Sequence, residues 1–116
     1  MNVDSALAEL LAIAKRIGAG NVPRYQHSET FTVGAFDMVF TNLRDVDAFR
    51  LLSHACQQYD SIKTDAATLT GFIYLISDLA RKSATTEMPP GMQQIVLDNP
   101  TQTSELREWY RMDSNV

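Results

Sequence analysis

The sequence predicts a small α+β domain, and three observations predict it. Apolar residues recur at three- and four-residue spacing over 5–17, 46–59 and 64–83, the signature of amphipathic helices. The stretch SETFTVGAFDMVFTN at 28–42 instead alternates around a glycine, as the strands of a hairpin do. At 116 residues, with 45% hydrophobic and 21% charged side chains, the chain has the size and balance of one globular domain spanning 1–116. Its last residues, 113–116, are expected to form a flexible tail.

The first helix is expected from Ser5 to Ile17, capped by Asp4 or Ser5. Val3, Leu7, Leu10, Leu11, Ala14 and Ile17 fall on one face, and Gly18 and Gly20 supply the stop. A connector through Pro23 leads to the hairpin. With Gly34-Ala35 as a type II′ turn, Val33 faces Phe36, Phe31 faces Met38 and Glu29 faces Phe40. The opposite face is Thr- and Ser-rich, and a slip of one residue destroys that division. A lone hairpin is marginal in water, so its apolar face is expected to pack on the helices.

Asn42 is the expected cap of the second helix, with Asp45 completing a capping box. Val46, Phe49, Leu52, Cys56 and Tyr59 make its buried stripe, opposite Asp47, Arg50, His54 and Gln58. After the turn DSIKTD, a third helix begins at Thr64 or Asp65 and runs to Ser83. Leu69, Phe72, Ile73, Leu75, Ile76, Leu79 and Ala80 cover more than half its circumference, which predicts a central, buried element. Gly71 within it costs about 1 kcal/mol relative to alanine and implies close approach of another element. The stretch TTEMPPGMQQ reads as a loop. The stretch QQIVLDNP is open between two readings: its β-branched pair and its length favour a short third strand at 94–97, while Pro90 followed by a helical pattern would also fit. Thr103 or Ser104 then caps a short helix carrying Leu106, Trp109 and Tyr110. Phe31, Met38, Phe49, Leu52, Phe72, Ile73 and Ile76 are the expected core.

The composition excludes several functions. The net charge is −4, and the adjacent basic pairs Lys15-Arg16 and Arg81-Lys82 fall at helix ends, where cations complement the dipole. A nucleic-acid partner is therefore not expected. No run approaches the ~18 apolar residues of a membrane span, and the acidic N-terminus is unlike a signal peptide. A single cysteine, Cys56, rules out an internal disulfide and suits the reducing cytoplasm.

Catalytic constellations are missing from the motif pattern. His27, His54 and Cys56 show no metal-ligand spacing, so no metal or other cofactor is expected. His54 and Cys56 lie two apart on a helix and point away from each other. There is no G-x-S-x-G elbow, no Walker A loop and no G-x-G-x-x-G. Asp47, Arg50 and His54 share a helical face that reads as a secondary polar surface, sensitive to pH through the imidazole. An enzyme is not expected.

Recognition of another protein, or self-association, is the expected function. An acidic, cysteine-poor chain of this kind fits an inhibitor, immunity protein or adaptor acting by occlusion or scaffolding. The candidate contact residues are Met88 and Met92, flanking the Pro89-Pro90-Gly91 loop, and Arg107, Trp109, Tyr110 and Arg111 near the C-terminus. Within the latter group Trp109 is expected to dock on its own domain, with Tyr110, Arg107 and Arg111 forming a more accessible rim. The alternative is a small-ligand site or motif-less enzyme between hairpin and helices, with Tyr25, His27 and His54 supplying polar groups.

Overall fold

The computed structural model describes residues 3–18 and 43–112. Helix α1 spans Val3–Gly18, α2 Asp45–Gln57, α3 Tyr59–Ile62, α4 Ala66–Ser83, α5 Met92–Asp98 and α6 Ser104–Trp109. Among the described residues there is no strand, so the architecture is all-helical and the α+β expectation is corrected. The hairpin at 28–42, with Phe31 and Met38 of the expected core, lies outside the described residues, as do Tyr25, His27 and 113–116.

The third strand expected at 94–97 is the middle of α5 instead. Met92, Ile95 and Val96 are buried at helical spacing, and Gly91 enters the helix at φ 91°, a backbone conformation that glycine adopts without strain. Burial of that face outweighs the strand preference of the Ile95-Val96 pair.

Helix α4 is the centre of the molecule, packing against α1, α2, α3 and α6. Its start is set by Asp65, whose carboxylate accepts the backbone N–H groups of Ala67 and Thr68. Its stop is Ala84, in the left-handed region at φ 58°. Phe72, Leu75, Ile76 and Leu79 are fully enclosed.

The α1–α4 contact depends on small residues. A Cβ on Gly71 would overlap the Ala14 backbone carbonyl, and one on Gly18 would overlap that of Ala67. As the α1 number falls from 18 to 14 the α4 number rises from 67 to 71, so the two helices run antiparallel at backbone contact. This is the close approach that Gly71 implied. Leu7, Leu10, Ile13, Ala14 and Ile17 form the buried face of α1.

Helix α2 is rotated relative to expectation. Its buried face is Ala48, Leu51, Leu52, Ala55 and Cys56, together with Asp47. Val46 is 52% exposed and Phe49 only half-buried. The alanines let α2 approach α4 closely, whereas a stripe centred on Val46 and Phe49 would hold the helices apart. Its N-cap is Arg44, with no side-chain capping bond, rather than Asn42. Tyr59, expected at the end of this stripe, is buried in α3. There it stacks on Phe72 at 6.3 Å and donates to Asp98 at 2.9 Å, while Asn99 donates to its hydroxyl at 3.1 Å.

Candidate functional site

The site follows from two helices that share an edge. Helix α4 ends with Ser77, Ala80 and Arg81 turned toward α6, and the chain between them passes through Thr85 and Thr86. Between these elements lies an open groove of about 510 Å³, with Arg81, Thr86, Glu105, Glu108, Trp109 and Arg111 on its walls. A second, smaller hollow of about 180 Å³ sits beside the exposed Tyr74.

Besides burial of Leu106, the contacts that hold α6 in place include one from Trp109 and one from Arg81. The Trp109 indole Nε1–H donates to the Thr85 carbonyl at 3.0 Å, leaving the ring half-buried on the groove wall. The Arg81 guanidinium pairs with Glu105 across the helices and with Asp78 one turn back on its own helix. A six-residue helix has no stability of its own in water, so these contacts decide whether α6 is formed.

Asp78 is the unusual member. It is 6% exposed; one oxygen accepts from Arg81, and Oδ2 has no hydrogen-bond partner among the described residues. Burial pushes its carboxyl up to about 6, and the charge of Arg81 only partly opposes that rise. No motif in the sequence singled out Asp78; its signal was an aspartate between the apolar positions Ile76 and Leu79 of a central helix.

The structure distributes the sequence-derived candidates unevenly. Trp109 and Arg111 come together on the groove wall, and Arg107 is half-buried nearby in sequence. Tyr110 is not part of an accessible rim. It is 9% exposed, and its phenol, without a hydrogen-bond partner among the described residues, is pushed up by burial and by the neighbouring Cys56. Met88 is half-buried against the core. Met92 is fully buried as the first residue of α5, so the loop presents only one of the two methionines.

The polar face of α2 is likewise divided. Asp47 is turned inward and bonds Arg44 at 3.2 Å, a contact that, with the nearby charge of Arg50, holds its carboxyl below the usual range. Arg50 is exposed and His54 half-buried. Cys56 is buried against Gly91, and burial pushes its thiol up to about 12, which leaves it protonated and unreactive at neutral pH.

No protein-family model matches the chain, and no curated protein or solved structure matches it. Among the described residues, no helix is long and apolar enough to cross a membrane, and no group of three or more His, Cys, Asp and Glu is placed to hold a metal ion. The groove's own chemistry is ionic and hydrogen-bonding: guanidinium and carboxylate groups flank one indole ring.

Proposed function

We propose that the chain is a protein-binding module of the reducing cytoplasm, acting by occlusion or scaffolding, and that the α4–α6 groove is its contact surface. One observation carries this reading: Trp109 stands half-exposed on a groove wall ringed by Arg81, Glu105, Glu108 and Arg111. A partly sheltered aromatic with a charged rim is the arrangement of an interface anchor, where the ring supplies contact area and the rim sets orientation.

The test is capture of a partner by the full chain, compared between two charge reversals on opposite surfaces. Glu108→Arg changes the groove, and Arg50→Glu changes α2. A discrete partner held by wild type and Arg50→Glu, and released by Glu108→Arg, supports the groove. The reverse pattern moves the contact to α2. Concentration-dependent sedimentation abolished by Glu108→Arg identifies the partner as a second copy of the chain.

A second reading has its own observation. The groove volume lies within the roughly 300–1,000 Å³ of small-molecule sites. Its mixed charges would suit a zwitterionic ligand, and stabilisation by such a compound in a thermal-shift screen, abolished by Arg111→Gln, would favour it over the protein partner.

A further inference from the structure

The contacts that seat α6 include a carboxylate whose charge is costly where it lies. Asp78, on α4, has one oxygen on Arg81 and the other buried with no hydrogen-bond partner among the described residues. The same guanidinium is the ionic tie to Glu105 on α6. Arg81 is the charge that acts on Asp78; α1, α2 and α3, the other helices against α4, add none among the described residues, and Glu105 reaches it only through Arg81. Two carboxylates therefore share one cation at the point where the least self-sufficient helix joins the core.

We propose that Asp78, Arg81 and Glu105 form a proton-operated clamp on the groove. When Asp78 takes a proton from water onto Oδ2, it no longer competes as a charge with Glu105 for the guanidinium. Arg81 then directs its charge to Glu105 alone, and α6 is held against α4. When Asp78 is ionised it competes with Glu105 for the one guanidinium, the tie across the helices weakens, and opening at α6 is favoured. The opening is local, since α4 remains anchored to α1 and α2. Trp109, Glu108 and Arg111 move with or flank the mobile element, so proton uptake sets how they are presented. That consequence for binding rests on the groove being the contact surface; the clamp itself does not.

Trp109 is the sole tryptophan, so its fluorescence reports α6 without any partner present. Acrylamide quenching of the full chain, followed from pH 5 to 8 at low micromolar concentration, is expected to rise in one step centred near pH 6. Asp78→Asn should show the shielded, low-pH quenching throughout. Glu105→Gln leaves Asp78 buried but cuts the tie, so its quenching should stay high and lose the step while its melting temperature still varies across the same pH range. A His27→Gln, His54→Gln double variant, which removes both imidazoles of the chain, should keep the step. A flat wild-type profile, a step that survives in either carboxylate variant, or a step lost with the histidines overturns the clamp. None of these outcomes depends on a partner, so the clamp can fail while the groove reading stands, and the groove reading can fail while the clamp stands.

Discussion

The two halves of α4 are built on opposite terms. Its N-terminal half lies against α1 at backbone contact, Gly71 on Ala14 and Ala67 on Gly18, with Phe72 enclosed beside them. Its C-terminal half places an aspartate with an unpartnered oxygen and an arginine shared between two acids beside a groove. The first half gains dispersion contacts and removes apolar surface from water. The second encloses Leu75, Ile76 and Leu79 as well, but it also bears the desolvation cost of a buried carboxylate. A single helix can thus supply the rigid frame at one end and a responsive surface at the other.

The largest expected effect tests the frame. Phe72→Ala should cost about 3–5 kcal/mol in urea denaturation, because a fully enclosed ring leaves a cavity when removed. A loss below about 1 kcal/mol would mean that the backbone-contact half is not a rigid frame.

Asp78 comes next and should act in the opposite direction. Its pKa rises from 3.8 to about 6 on folding, so the folded protein holds the proton more tightly than the unfolded chain. The stabilisation is complete below pH 4 and is lost as pH rises through about 6, and it amounts to about 3 kcal/mol. Asp78→Asn should recover much of that difference at pH 7.5 and flatten the profile between pH 4 and 7. A variant less stable than wild type at pH 7.5 would show the charge to be compensated, and the contrast between the halves would disappear.

Gly71→Ala sharpens the comparison through its sign. Helix propensity alone predicts a gain of about 1 kcal/mol, whereas overlap with the Ala14 carbonyl predicts a loss of about 1–3 kcal/mol. A stabilised variant would show that α1 and α4 can separate without penalty. The smallest effect belongs to Trp109→Phe. It deletes the hydrogen bond to Thr85 while keeping an aromatic ring, and should cost about 1 kcal/mol. Added to Asp78→Asn, it should give a sum of the separate effects only if the two groups hold α6 independently.

Much of this was legible in the residue order, and the misses have physical causes. The span of α4, its Asp65 cap and the meaning of Gly71 were readable because caps and glycine penalties act within one turn. The shortness of the last helix implied only that it must pack on its own domain or on another chain, and Trp109 bonds its own chain at Thr85. Helix α5 is hard to see in the sequence because its β-branched Ile95-Val96 pair favours a strand and its first residue, Met92, directly follows the turn formers Pro89-Pro90-Gly91. That leaves too few residues to reveal the spacing of Met92, Ile95 and Val96. On α2 the large side chains of Val46 and Phe49 point to one face by size alone, whereas packing selects the alanine face, which leaves Val46 exposed and turns Asp47 inward.

By itself the sequence determined the Asp65 start of α4, the approximate spans of α1, α2 and α4, and the apolar faces of α1 and α4. Capping and the three- and four-residue spacing are interactions between near neighbours, so they survive without knowledge of the fold. Only the tertiary structure decided which way α2 turns, that α1 and α4 touch at their backbones, and that Asp78 and Glu105 share Arg81. Asp78 and Arg81 are one turn apart in any helix, but Glu105 comes from a different element. The aspartate's cost depends on how much water the surrounding helices exclude. Burial is a property of the assembled packing, and the sequence does not display it one residue at a time.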